Sequence, residues 1–146
     1  MTTARDVMTG SPTIVDEGTP VSDIARTFRE EGIGAVIVCN TEERLQGVLT
    51  DRDIVVEVIA TGRDAESTRA ADILSGRETI TIGADDDILE AVETMTRYAV
   101  RRLPVIDGDR VVGMVSQADI AHHADDAHVA TLVRAISDAG DNSGQG

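Results

Sequence analysis

The chain has 146 residues, the length of one ordinary domain or of two small ones paired. Its 27 acidic and 13 basic residues give a formal charge of −14, no lysine occurs, and there is no Trp and only one Tyr and one Phe; overall repulsion excludes a general duplex-binding surface, and the missing aromatics exclude a stacking platform for single strands. The single cysteine, Cys39, excludes an intramolecular disulfide, no charged-then-apolar leader pattern opens the chain, and no apolar run approaches the roughly 20 residues of a membrane span, so a cytoplasmic protein without nucleic-acid or membrane partners is expected.

In chain order, Thr13-Ile14 opens a strand-forming stretch, and Val21, Ile24, Ala25 and Phe28 follow at the i, i+3, i+4, i+7 spacing of one apolar helical stripe. Thr19 is placed as the N-cap of that helix, Pro20 at its first position and Gly32 just past its end. Ala35 to Cys39 and Leu45 to Leu49 are short apolar runs separated by Asn40-Thr41-Glu42-Glu43-Arg44, the pattern of two buried strands joined as a hairpin. A helix is predicted from Thr50, with Ile54, Val55, Val58 and Ile59 on one side and its end before Gly62. Residues 63–70 are polar and read as a linker.

The order then repeats. Arg5-Asp6-Val7-Met8 returns as Ala71-Asp72-Ile73-Leu74, Thr13-Ile14 as Thr79-Ile80, and Gly47-Val48-Leu49-Thr50-Asp51-Arg52-Asp53-Ile54 as Gly113-Met114-Val115-Ser116-Gln117-Ala118-Asp119-Ile120, all 66 positions apart. The helical stripe returns as Ile88, Ala91, Val92 and Met95 at an offset of 67, which confines insertions and deletions to loops. Leu103 to Ile106 and Arg110 to Val115 repeat the hairpin around Asp107-Gly108-Asp109, and a helix starts at Ser116. Repeat 1 is placed at residues 4–62 and repeat 2 at 71–124, with the linker 63–70 between them. Val129, Leu132, Val133 and Ile136 describe one more amphipathic helix over 127–137, which belongs to neither repeat and covers the module or a partner; 138–146 is small, polar and expected to be disordered.

The order strand, helix, strand, strand, helix, with Gly-h-h-[Ser/Thr]-x-x-Asp closing the second strand of each hairpin (h being apolar) and Leu103-Pro104-Val105 opening the strand before it, resembles the CBS domain. Two in tandem resemble a Bateman module, over residues 4 to about 124. The resemblance implies an α/β (α+β) fold of two β-α-β-β-α repeats with pseudo-two-fold symmetry, two clefts between the copies and a homodimer. It also implies an adenosyl ligand such as AMP, ATP, NAD or S-adenosylmethionine, bound as a regulatory nucleotide and not as a cofactor.

Thr50-x-x-Asp53 and Ser116-x-x-Asp119 each stand at a strand-to-helix junction, where the residues alone make a capping box. The resemblance adds that the Asp accepts both ribose hydroxyls of an adenosyl ligand while the hydroxyl and the helix start face its phosphate. Carried over by position, cleft A gathers Arg102, Ser116 and Asp119 with Met8, Pro12, Thr13 and Ile14. Cleft B gathers Ala35, Thr50 and Asp53 with Leu74, Glu78, Thr79 and Ile80. Arg102 is a fixed fork of donors suited to a phosphoryl group, whereas Ala35 offers nothing and Glu78 adds a like charge, so cleft A is the better nucleotide site. Copy one also lacks a counterpart of Pro104. Arg52, beside Asp53, either serves cleft B or points to solvent, and strand alternation lets only one of Arg101 and Arg102 face cleft A.

His122, His123, His128 and Cys39 offer metal-compatible atoms but at no standard ligand spacing, so no metal is assigned. Asp85-Asp86-Asp87 complements a helix start, and no Ser/His/Asp, Cys/His or paired-carboxylate arrangement and no Walker-type loop is found, so no catalytic residue is assigned either. The reading is a non-enzymatic sensor that signals to a separate effector protein. Its alternative is a dimerising or docking module with no nucleotide ligand.

Overall fold

The computed structural model describes residues 1–139, so 140–146 of the expected tail lie outside the described residues. The elements run α1 (Ala4–Val7), β1 (Thr9–Gly10), β2 (Ile14–Asp16), α2 (Val21–Glu31), β3 (Ala35–Cys39), β4 (Leu45–Thr50), α3 (Asp51–Ile54) continued by a π-helical turn (Val55–Ile59), α4 (Ala70–Leu74), β5 (Ile82–Gly83), α5 (Ile88–Tyr98), β6 (Arg102–Asp107), β7 (Arg110–Ser116), α6 (Gln117–His123) and α7 (Asp126–Ala139). Each repeat thus carries a short opening helix ahead of its first strand, α1 in one and α4 in the other. These are the repeated Asp6-Val7 and Asp72-Ile73 segments, each closed by a carboxylate three residues into the box, Asp6 on the Thr3 N–H and Asp72 on the Arg69 N–H, both at 2.9 Å.

The chain forms two compact units. One holds residues 1–12 together with the chain from Ile80 onward, and the other is Thr13–Thr79. In the Thr13–Thr79 unit the sheet order is β2-β3-β4, with β2 parallel to β3 and β3 antiparallel to β4. Val21, Ile24 and Phe28 of α2 pack with Val36, Val38 and Leu49 of the sheet and with Ala70, Ile73 and Leu74 of α4. In the other unit the order is β1-β7-β6-β5; β5 runs parallel to β6, and β7 is antiparallel to both β6 and β1. Its core joins Ala4 and Val7 of α1, Ile88, Ala91, Val92 and Met95 of α5, Leu103, Val105 and Val115 of the hairpin, and Leu132 and Ile136 of α7. The last helix therefore covers a core of its own chain. Repeats and units divide the chain differently, because the opening helix of each repeat packs in the unit that holds the other repeat's hairpin.

Three local expectations are corrected. Thr19 does not cap α2: Pro20 is the N-cap, extended at φ −60, and has no side-chain capping bond. The helix's first amides donate instead to carbonyls of the 63–70 segment, Val21 to Thr68 at 2.8 Å and Ser22 to Ala65 at 3.0 Å, so this stretch is folded against α2 and does more than link. Val55 and Ile59 do not share a buried side with Ile54 and Val58. Ile54 and Val58 are buried in one row at i, i+4, while Val55 and Ile59 are 54% and 67% exposed on the π-helical turn. Finally, α7 runs over Asp126–Ala139, one residue earlier and two later than the expected 127–137.

Candidate ligand site

In the unit with α1, the hairpin β6–β7 ends with Arg102 opposite Ser116, and α6 begins at the next residue. Three bonds close the box: the Ser116 N–H donates to Asp119 Oδ2 at 2.8 Å, the Ser116 hydroxyl donates to the same oxygen at 3.0 Å, and the Asp119 N–H donates to Ser116 Oγ at 3.2 Å. Asp119 is only half-buried. Beside the box lies an open cavity of about 500 Å³ lined by Arg101, Arg102, Ser116, Gln117, Ala118 and Ala121, within the usual range for a small-molecule site. Both arginines line it, which corrects the alternation argument: β6 starts at Arg102, so Arg101 precedes the pleat, and its carbonyl accepts the Gln117 N–H at 2.8 Å.

The opening segment crosses β7 at that strand's one residue without a side chain. Thr9 and Gly10 pair with Met114 and Gly113, and Met8 lies so close that a Cβ on Gly113 would run into its Sδ and come within 2.8 Å of the Thr9 carbonyl oxygen. The glycine of Gly-h-h-Ser-x-x-Asp is thus the crossing point, which explains its place three residues ahead of the serine. Of the residues assigned to cleft A, Met8, Pro12, Arg102, Ser116 and Asp119 fall in this unit, whereas Thr13 and Ile14 fall in the other, where Ile14 pairs with Ile37.

The Thr13–Thr79 unit repeats the design with different side chains. Ala35 stands opposite Thr50, and Leu74 and Thr79 lie over Gly47, whose added Cβ would sit 3.1 Å from Leu74 Cδ1 and 3.3 Å from Thr79 Oγ1. The Thr79 hydroxyl donates to the Gln46 carbonyl at 3.2 Å. The Thr50 N–H donates to Asp53 Oδ2 at 2.9 Å, and the Asp53 N–H donates to Thr50 Oγ1 at 3.1 Å. Asp53 is wholly buried, and its other oxygen accepts a bond from Arg77 Nη1 at 3.0 Å. Ile80 belongs to the first unit and packs against its core. Glu78 and Arg52 are exposed.

The sequence profile of the CBS domain matches residues 4–60 and 70–126. The chain belongs to the CBS-domain family. It is 40% identical over 137 residues to hypoxic response protein 1 of Mycobacterium tuberculosis, covering 93% of this chain and 94% of that protein. It is 30% identical over 121 residues to the CBS domain-containing protein YhcV of Bacillus subtilis, covering 83% of this chain and 84% of that one. Among solved structures, hypoxic response protein I, described with two coordinated zinc ions, aligns with a TM-score of 0.77 at 41% identity over 84% of this chain and 99% of that one. The CBS-domain pair of protein MJ0100, in complex with 5′-methylthioadenosine and S-adenosyl-L-methionine, aligns with a TM-score of 0.72 at 22% identity over 84% of this chain and 94% of that one. CBS-domain pairs are in general regulatory modules without catalysis, and some hold adenosyl ligands.

Within this CBS pair His128 pairs with a neighbouring acid, and His123 meets the backbone of the Ser116–Asp119 box. His128 Nδ1 lies 2.7 Å from Asp125 Oδ2, and the Asp125 carboxyl is held below its ordinary value first by the His128 backbone N–H and then by the His128 side chain. His123 Nδ1 lies 2.9 Å from the Asp119 carbonyl oxygen. Cys39 is buried, which pushes its thiol up. Among the described residues no three His, Cys, Asp or Glu side chains are grouped to hold a metal ion, and no helix is long and apolar enough to cross a membrane. The residue that sequence reasoning missed is Arg77. It is 24 positions from Asp53 and stands opposite Ser11 in the repeat, so its only signal was a copy-specific charge next to the crossing segment.

Proposed function

We propose that this chain is a cytoplasmic, homodimeric, non-enzymatic regulatory module that binds a phosphate-bearing adenosyl ligand beside the Ser116–Asp119 box and signals to a separate effector protein. In this reading Asp119 accepts the ribose hydroxyls, and Arg102, assisted by Arg101, holds the phosphate as a charge-assisted fork. Met8 and Pro12 border the base from the crossing segment. The observation that carries the reading is the cavity of about 500 Å³ that Arg101 and Arg102 line together with Ser116, the hydroxyl member of the box. A net charge of −14 disfavours a free triphosphate, so AMP or NAD suits the site better than ATP, and the pair of arginines favours both over a cationic sulfonium. The ligand acts by its differential affinity for two states of the module, the only way in which binding shifts such an equilibrium.

Thermal unfolding with AMP, NAD, ATP, adenosine and S-adenosylmethionine tests this. A ligand at a hundred times its Kd stabilises the folded chain by about 2.7 kcal/mol, and AMP or NAD is expected to do so. No stabilisation by any adenosyl compound replaces this reading with that of a docking module that works without a nucleotide.

A further inference from the structure

We infer that Arg77 is a built-in occupant of the second box, so that the chain carries one open adenosyl site, at Asp119, and one closed by its own guanidinium, at Asp53. The inference rests on the ligand reading above and assigns Arg77 as the residue that decides which of two nearly identical motifs is available.

The two boxes share their backbone bonds and differ in what meets the second carboxylate oxygen. At Asp53, Oδ2 is held by the Thr50 N–H and Oδ1 by Arg77 Nη1 at 3.0 Å, and the Arg77 side chain is 19% exposed over a carboxylate that is wholly buried. A buried carboxylate needs such a partner, because a charge left alone in the interior is strongly destabilising. Arg77 Nη2 also points toward Glu57 Oε1 at 3.9 Å, so the guanidinium lies between two acids. Ribose hydroxyls would compete for the same Asp53 oxygen and, being neutral, would leave the buried carboxylate without the opposite charge that Arg77 supplies.

The backbone aims Arg77 at this place. In the second copy α4 is followed by a turn closed by the Arg77 N–H on the Leu74 carbonyl at 3.0 Å, with Gly76 at φ 79. That conformation suits glycine and turns the next side chain back over the box. In the first copy the equivalent residues are Gly10, paired in β1, and Ser11, which is exposed and carries no charge. At the open box the residue equivalent to Glu57 is His123, so of the acid–arginine–acid arrangement only the first acid, as Asp119, recurs.

The test is calorimetric titration of AMP into the wild-type chain and into Asp119→Ala, Arg77→Ser and the double variant, each shown to be folded by its melting curve. Arg77→Ser copies the residue of the open site. The wild type is expected to bind one AMP per chain, Asp119→Ala to bind about ten- to a hundredfold more weakly, and the double variant to recover binding through Asp53. No recovery in the double variant overturns the inference and leaves the Asp119 reading intact, whereas undiminished binding by Asp119→Ala overturns both, because the ligand is then held elsewhere than at Asp119. If the wild type binds no AMP, that reading fails by itself; binding by Arg77→Ser alone would still support a closed second box, and binding by neither overturns both. Should Arg77→Ser not fold, the guanidinium NMR signals of Arg77 in the wild type decide. Signals unmoved by saturating AMP support occupancy by Arg77, and signals shifted by AMP overturn it.

Discussion

Gly113 and Gly47 hold equivalent places in the two hairpins, yet a methyl group at each would meet different matter. At Gly113 it would come within 2.8 Å of a backbone oxygen and against the Met8 thioether; at Gly47 it would touch only the ends of Leu74 and Thr79, at 3.1 to 3.3 Å. Backbone cannot yield as a side-chain terminus can, so Gly113→Ala is expected to cost about 1–3 kcal/mol and Gly47→Ala about 1 kcal/mol or less in denaturant titrations. At the ligand site, Arg102→Ala is expected to weaken AMP by about 1.5–3 kcal/mol and adenosine hardly at all, because only AMP carries the phosphate. Asp119→Ala is expected to weaken both alike, with a stability cost of about 1 kcal/mol from the lost cap. Equal losses of the two ligands in Arg102→Ala would remove the phosphate role. The boxes were legible in the sequence because a cap acts over three residues. Arg77 was not, because its contact with Asp53 spans 24 positions and is made only once α4 has folded onto β4.

At the scale of elements, the two 11-residue helices end in the left-handed region, α2 at Gly32 with φ 66 and α5 at Ala99 with φ 52. An alanine there carries a steric cost of roughly 1–2 kcal/mol that glycine avoids. Ala99→Gly is therefore expected to stabilise the chain by up to about 1 kcal/mol, less than the full relief because glycine also loosens the unfolded chain, while Gly32→Ala destabilises it. The short helix α1 depends on a carboxylate. The Asp6 carboxyl is held below its ordinary value of 3.8 first by the Thr3 backbone N–H and then by the Thr3 side chain. A carboxyl depressed in the folded state contributes stability that is fully present above the unfolded value and lost as pH falls through the folded one. Asp6→Asn is expected to lose that contribution at neutral pH and to show a shallower loss of stability than the wild type below about pH 4 in acid titration. The amphipathic stripes of α2, α5 and α7 were readable from period, and the hairpins from short apolar runs on either side of a polar turn. Elements of four or five residues, such as α1, α4 and the π-helical turn, give no period to read, and the cap of α2 was misplaced because distant carbonyls, not a neighbouring side chain, satisfy its amides.

For the whole molecule, the repeat was visible as self-similarity, whereas the exchange of opening segments was legible only through the family resemblance, since nothing local tells Met8 to cross Gly113 rather than Gly47. The same scale governs association. Val55, Val56 and Ile59 are 54%, 36% and 67% exposed on one short stretch of the Thr13–Thr79 unit, a concentration of apolar surface that a second copy would cover. Each copy carries a net charge of −14, so the long-range term between two copies is repulsive and the attraction must be apolar and short-ranged. Salt shortens the reach of the repulsion, to about 10 Å at 0.1 M and about 3 Å at 1 M, and leaves the apolar term in place. The dimer is therefore expected to tighten as salt rises, the reverse of an interface held by ion pairs. Sedimentation velocity at micromolar concentration over that salt range measures it, with Ile59→Asp, which puts a charge on each copy of the covered surface, expected to remain monomeric throughout. A wild-type chain that is monomeric at every salt concentration would remove the homodimer, and a dimer that weakens with salt would place the contact on charged residues elsewhere.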